Sequence, residues 1–141
     1  MKTHGQATWT GSWREGQGTI STPSSSIAGP AYTYDSRYNA VDQTSPEELL
    51  AAAHAACFNQ ALANNLDQEE LTAETIETTV TVDYGFNDEG RPTIFGAHIA
   101  VTATVPGATD EIFQQRAAKA AKGCTISRIL TFETTFEASL S

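Results

Sequence analysis

Two residues in this chain have the chemistry of a soft nucleophile, Cys57 and Cys124. They are the only cysteines, and each lies in a structured context. Cys57 sits in Ser45-Pro46-Glu47-Glu48-Leu49-Leu50-Ala51-Ala52-Ala53-His54-Ala55-Ala56-Cys57-Phe58. Cys124 sits far downstream, in Lys122-Gly123-Cys124-Thr125-Ile126-Ser127. The thiolate is the reactive form, and an unperturbed thiol is only about 3% thiolate at pH 7. A thiol enzyme must therefore raise that fraction with a nearby positive charge or dipole.

For Cys57 the helix dipole is too far away. The residue lies about 12 positions inside its expected helix, and the macrodipole fades within the first turn. A cation is required, and arginine suits the task because it stays charged when buried. Arg37, just before the helix, is the nearest candidate. Glu47 would then hold its guanidinium in place. Ten residues of helix separate Glu47 from Cys57, roughly 15 Å along the axis. So either Arg37 bridges them, or Glu47 and Cys57 of one site come from different chains. Cys124 follows a helix end and can open a second short turn, whose N-terminus favours a thiolate. The helix-end position gives it more freedom than Cys57. That suits a resolving thiol, which moves to attack an oxidised partner.

Each of these residues also has a plain structural reading. A cysteine in an alanine-rich helix is commonly a small core hydrophobe. Glu47 can be only a charge favoured at a helix N-terminus, and Arg37 only a surface cation. His54, three residues before Cys57, is a general base or, more commonly, a hydrogen-bonded core histidine. Zinc held by His54, Cys57 and Cys124 lacks a fourth ligand and any recognisable spacing. Trp9, Trp13, Tyr32 and Tyr34 read as core or interface before ligand stacking.

The elements that would position these groups follow from local pattern. Ser45 reads as an N-cap, Pro46 as the first helical residue and Glu48 as the partner of a capping box. The helix should run to Asn64 or Asn65. It is apolar nearly all round, so most of its faces should be buried. Ala7–Trp13 and Thr19–Thr22 read as a hairpin reversed at Gly16-Gln17-Gly18. Ser24–Pro30 reads as a loop and Tyr32–Tyr38 as a short strand. Glu74–Tyr84 and Thr93–Val105 read as long strands around an Asn87–Gly90 turn. A second helix runs from Thr109 or Asp110 to Gly123, with a helical turn at Thr125–Arg128. Leu130–Leu140 reads as a final strand, with Phe132 and Phe136 on one face. The order predicts an α+β fold with mostly antiparallel sheet. One sheet cannot cover a helix that is apolar all round, which predicts a dimer that buries two such helices.

The 141 residues fit a single domain, residues 1–141. Hydrophobic residues make up 40% and charged residues 18%, a globular balance. The net charge of −9, with only eight Lys and Arg, argues against nucleic acid and against an anionic membrane surface. The N-terminus carries no apolar signal segment, and the longest apolar run is far short of a membrane span. A cytoplasmic protein is expected, where paired cysteines are more often reactive than structural.

The chain resembles the OsmC/Ohr family of thiol peroxidases, most closely its OsmC (osmotically inducible protein C) branch. The likeness covers nearly the whole length. Its most specific part is Ser45-Pro46-Glu47-Glu48-Leu49 followed by Ala52-Ala53-His54-Ala55-Ala56-Cys57-Phe58. Gly5-Gln6-Ala7, Gly18–Thr22, Arg37-Tyr38, Val105-Pro106-Gly107 and Lys122-Gly123-Cys124 add to it. The resemblance implies an intertwined homodimer, with sheets wrapped around central helices. It implies that Cys57 attacks a peroxide and becomes a sulfenic acid, and that Cys124 condenses with it into a disulfide. A dithiol of the lipoyl type would restore both thiols. Arg37 and Glu47 would activate Cys57 and polarise the peroxide. Organic hydroperoxides would be preferred over hydrogen peroxide, with no metal, haem or flavin. The sister Ohr branch takes its arginine from the first hairpin, near Arg14, so Arg14 stands as the rival to Arg37. The alternative from another class is a non-catalytic stress module that senses redox state or binds zinc.

Overall fold

The computed structural model of the chain describes residues 1–39 and 41–141. The chain divides into two compact units, Met1–Leu49 and Leu50–Ser141. Strands β1 (Gln6–Ala7), β2 (Gln17–Ser21) and β3 (Ala28–Thr33) form one sheet in the order β1-β2-β3, antiparallel throughout. Helix α1 (Tyr34–Tyr38) follows at once, and α2 (Pro46–Asp67) begins in the first unit and continues into the second. The second unit holds β4 (Thr75–Phe86), β5 (Pro92–Thr104), α3 (Asp110–Gly123), a 3-10 turn at Ser127–Ile129 and β6 (Glu133–Leu140). Its sheet has the order β4-β5-β6. The architecture is α+β, as expected. The β4–β5 pair is antiparallel, while β5 and β6 pair in parallel because α3 carries the chain back between them.

In the first unit, two sequence expectations are corrected. The chain reverses at Ser12–Gly16, where the Gly16 N–H donates to the Ser12 carbonyl at 2.8 Å. Gly16 closes this turn, while Gln17 and Gly18 already belong to the strand. Gly18 lies inside β2, where a Cβ would collide with the Thr8 carbonyl oxygen and the Tyr32 ring. The second correction concerns Tyr32–Tyr38. Strand β3 stops at Thr33, and residues 34–38 are helical. Thr33 is the cause. Its hydroxyl accepts the Ser36 N–H at 3.0 Å, and the Ser36 hydroxyl accepts the Thr33 N–H at 2.9 Å. This reciprocal cap overrides the strand preference of Tyr34 and Tyr38.

The start of α2 is as expected. The Ser45 hydroxyl accepts the Glu48 N–H at 3.1 Å, and the Glu48 carboxylate reaches back to the Ser45 N–H at 3.4 Å. Ser45 is buried. Ser45→Ala should cost about 1 kcal/mol of stability, measured by denaturant unfolding, because an orphan N–H loses its acceptor.

In the second unit, α2 buries one stripe: His54, Phe58, Leu62, Asn65 and Leu66. α3 buries Phe113, Ala117, Ala120 and Ala121. Both stripes join Val80, Ala97, Ile99, Val101 and Ala103 of the sheet in one core. Each fully buried large side chain contributes roughly 1.5–3 kcal/mol of transfer free energy. The Asn65 amide donates to the Arg116 carbonyl at 3.2 Å, which ties α2 to α3, and Arg116 pairs at 2.6 Å with Glu69 just past the end of α2. The expectation that α2 is covered on most faces is not met within one chain. Ala52, Ala53, Ala56 and Ala63 are exposed, since a single sheet reaches only one side of the helix. The helix also runs past Asn65 to Asp67. Gly123 is the last residue of α3, and Cys124 rather than Gly123 stands at its C-cap. β6 starts at Glu133, three residues later than the pattern had predicted.

Two turns shape the ends of β5. Asn87 collects the Glu89 and Arg91 N–H groups on its side-chain oxygen, and Gly90 takes φ +73°, a three-residue hairpin loop closed by a left-handed glycine. Val105-Pro106-Gly107-Ala108 closes with the Ala108 N–H on the Val105 carbonyl at 3.1 Å and Gly107 at φ +83°. Pro then Gly at the two central positions is the type II pattern, and it delivers the chain to the Thr109 cap of α3. Among the described residues no helix is long and apolar enough to cross a membrane.

Candidate active site

In the first unit, the capped α1 turn places Arg37 against the start of α2. The Arg37 Nε donates to both Glu47 oxygens at 3.2 Å, and Nη2 donates to Oε1 at 2.5 Å. This is a forked arrangement that a lysine could not reproduce. Glu47 is only 7% exposed and Arg37 31%. The carboxylate is thus the buried anchor and the guanidinium the presented group. Arg37 also lies over the Tyr38 ring at 5.0 Å.

Around Arg37 the first unit builds a cavity of about 180 Å³ lined by Trp9, Trp13, Tyr32, Thr33, Tyr34 and Tyr38. Ring pairs hold the wall: Trp9 with Tyr32 at 5.3 Å, Trp13 edge-on to Tyr34 at 5.2 Å, and Tyr34 with Tyr38 at 5.0 Å. The Tyr32 hydroxyl donates to the Thr8 carbonyl at 3.1 Å, and the Trp9 indole donates to the Gly11 carbonyl at 3.2 Å. These two polar tips are thereby spent on the backbone, leaving their apolar faces to line the space. These aromatics, read from sequence as core or interface, line a pocket that includes the Arg37 cation.

Arg14, the rival, belongs to the same neighbourhood but is held differently. Its guanidinium lies over Trp13 at 5.2 Å and over Tyr34 at 4.8 Å. Among the described residues it makes no ion pair with a carboxylate. Of the two arginines, only Arg37 has the acidic anchor that the pairing with Glu47 required.

The second unit carries the thiols. Both are free; Cys57 is half-buried and Cys124 buried. Cys57 occupies the middle of α2. Cys124, expected to be mobile at its helix end, is instead tightly held. Its Sγ lies 3.0 Å from the Ser127 Oγ and accepts the Ser127 N–H at 3.3 Å. Ser127 in turn lies 2.7 Å from the His54 Nε2. His54 is 1% exposed, and burial lowers its pKa below the ordinary histidine value, favouring neutral imidazole. Ser127 had drawn no attention in the sequence. Its one local signal is the Cys-x-x-Ser spacing, which puts the hydroxyl back on the sulfur within a turn.

A zinc site is not supported by this arrangement. Among the described residues no three His, Cys, Asp or Glu side chains converge as metal ligands. His54 spends its Nε2 on Ser127.

Known proteins give the geometry its context. The model of the OsmC-like protein family matches residues 39–139. Peroxiredoxin OsmC of Escherichia coli (strain K12) is 36% identical over 136 residues, covering 96% of this chain and 94% of that protein. Organic hydroperoxide resistance protein-like 2 of Staphylococcus epidermidis is 36% identical over 61 residues, 43% of each chain. Among solved structures, the organic hydroperoxide resistance protein OhrB of Bacillus subtilis superposes with TM-score 0.72 at 20% identity, covering 98% of both chains. An OsmC-like protein of unknown function from Vibrio cholerae reaches TM-score 0.75 at 12% identity, covering 98% of this chain and 99% of that one. At such identities the structures speak for the fold alone. With the family match over most of its length and the 36% identity over nearly all of it, this chain belongs to the OsmC family.

Proposed function

We propose that the protein is a cysteine-based peroxidase that reduces organic hydroperoxides, and hydrogen peroxide more weakly. The observation that carries this reading is the forked Arg37–Glu47 pair set in an aromatic-lined cavity. A fixed guanidinium favours a thiolate and stabilises the negative charge that builds on a breaking O–O bond. The aromatic walls favour a hydroperoxide with an apolar body over hydrogen peroxide, which has none.

The chemistry runs in three steps. The Cys57 thiolate attacks the terminal peroxide oxygen; the S–O bond forms, the O–O bond breaks, and the alkoxide takes a proton and leaves as an alcohol. Cys124 attacks the Cys57 sulfenic acid; the S–S bond forms and hydroxide leaves as water after protonation. A dithiol of the lipoyl type reduces the disulfide by exchange and is itself oxidised. Arg37 is assigned the activating role, with Glu47 as its anchor. Two free thiols fit a reducing compartment, in keeping with a cytoplasmic location. The exposed alanine face of α2 supports a homodimer, because small side chains let a second helix approach closely.

Cys124→Ser tests the division of labour between the thiols. This variant should still consume one equivalent of cumene hydroperoxide, then accumulate a Cys57 sulfenic acid trapped by dimedone and detected by mass spectrometry. Its dithiol-driven turnover should fall by about tenfold or more, since recycling loses its disulfide intermediate. Unchanged turnover would remove Cys124 from the cycle.

A further inference from the structure

We propose that Ser127 and His54 form a proton relay that activates Cys124 for its attack on oxidised Cys57. The inference rests on the division of roles proposed above, in which Cys124 is the resolving thiol.

Three contacts carry it. The Ser127 hydroxyl lies between the Cys124 sulfur, at 3.0 Å, and the His54 Nε2, at 2.7 Å. The Ser127 backbone N–H donates to the same sulfur at 3.3 Å. All three groups lie in the second unit, and the relay joins α2, which carries Cys57, to the turn that carries Cys124. His54 is 1% exposed, while Cys124 is 2% exposed. Bulk water is a poor base for a sulfur so deeply covered, so the proton needs a path through the protein.

A core histidine with only a structural role needs any hydrogen-bond partner. This one is bonded to the single hydroxyl that also touches a reactive thiol. With His54 protonated on Nδ1, its Nε2 is an acceptor and the sequence of donors is S–H to Oγ, then O–H to Nε2. When the thiol proton passes to Ser127, the Ser127 proton passes to His54. The sulfur becomes a thiolate that accepts from both the O–H and the N–H of Ser127. Attack on the Cys57 sulfenic acid then forms the S–S bond and expels hydroxide. The proton held on His54 returns through the Ser127 hydroxyl to that hydroxide, which leaves as water. Burial favours neutral imidazole in the resting protein, which leaves the base free to accept. Ser127 touches a reacting atom and is a catalytic residue in this step. His54 acts through it and is a positioning residue that also holds the proton.

The test loads Cys57 with an electrophile that needs no peroxide. Reduced protein treated with dithiobis-nitrobenzoate forms a mixed disulfide at the more accessible Cys57, releasing one nitrothiobenzoate. Attack by Cys124 then closes the Cys57–Cys124 disulfide and releases a second, followed by absorbance. Ser127→Ala should slow the second release by about tenfold or more, within the range of general-base effects. Ser127→Thr, which keeps the hydroxyl, should restore it to within about threefold, and His54→Gln should be as slow as Ser127→Ala. The first release serves as the internal reference for folding and for Cys57. Closure at the wild-type rate in Ser127→Ala overturns the relay. So does a Ser127→Thr variant as slow as Ser127→Ala, since the hydroxyl would then not matter. A wild type that closes quickly yet consumes no hydroperoxide keeps the relay and removes the peroxidase reading instead.

Discussion

Cys57→Ser is expected to abolish hydroperoxide consumption, lowering dithiol-dependent turnover by about a thousandfold or more, the scale on which loss of a nucleophile acts. The physical basis is the gap between a thiolate and a hydroxyl as attacking groups. A serine hydroxyl is a far weaker acid than a thiol and stays protonated near neutral pH, and oxygen does not form the stable S–OH intermediate the cycle needs. Cys57 is half-buried in the described chain, so serine, nearly the same size, should leave the fold intact. Unfolding curves that superpose on those of the wild type would separate lost chemistry from lost structure. The variant should also give no dimedone adduct after peroxide treatment, even though Cys124 is still present. An adduct on Cys124 would exchange the assigned roles.

Arg37→Met is the second large effect. It should slow the oxidation of Cys57 by cumene hydroperoxide about a hundredfold, comparable with removing one fixed charge-stabilising donor at a reacting centre. Methionine keeps the unbranched stem that packs near Tyr38 but removes the cation. Arg37→Lys should recover little, because an ammonium cannot reproduce three donor contacts to one carboxylate. Arg14→Met supplies the contrast. Among the described residues its guanidinium rests on aromatic faces without a carboxylate partner, so its loss should change the rate by less than about threefold, the size of an exposed cation–π contact. Stopped-flow measurement of the first oxidation distinguishes the two arginines. Equal losses for both would place the activating cation at neither alone. The opposite ranking would hand the role to Arg14.

Much of the frame that positions these groups was legible in the residues. The capping box at Ser45 and Glu48 is a local signal, and it set the start of α2 and the place of Glu47 in its first turn. The β4–β5 hairpin was legible for the same reason: alternating β-branched residues flank a turn whose Asn and Gly have fixed roles. The α1 turn is less legible, although Thr33 and Ser36 carry its cap, because tyrosine-rich stretches carry a strand preference that masks the weaker Thr-x-x-Ser signal.

The remaining features depend on contacts between distant residues. Ser127 meets His54 only because α3 and the turn after it bring the chain back to α2; no periodicity records that. The aromatic cavity likewise needs the β1–β2 connection, β3 and α1 to converge, and aromatic residues in a core have the same composition. The exposed alanine face of α2 shows the converse. The apolar composition there predicts burial that one chain does not provide, which agrees with the dimer proposed above.

The most direct measurement compares consumption of cumene hydroperoxide and hydrogen peroxide, with dihydrolipoamide as the reductant, for the wild type and Cys57→Ser side by side. Fast loss of the organic peroxide, slower loss of hydrogen peroxide and neither in Cys57→Ser is the expected result. Wild-type consumption no faster than the variant's would contradict peroxidase function and move the two thiols to a binding or sensing role.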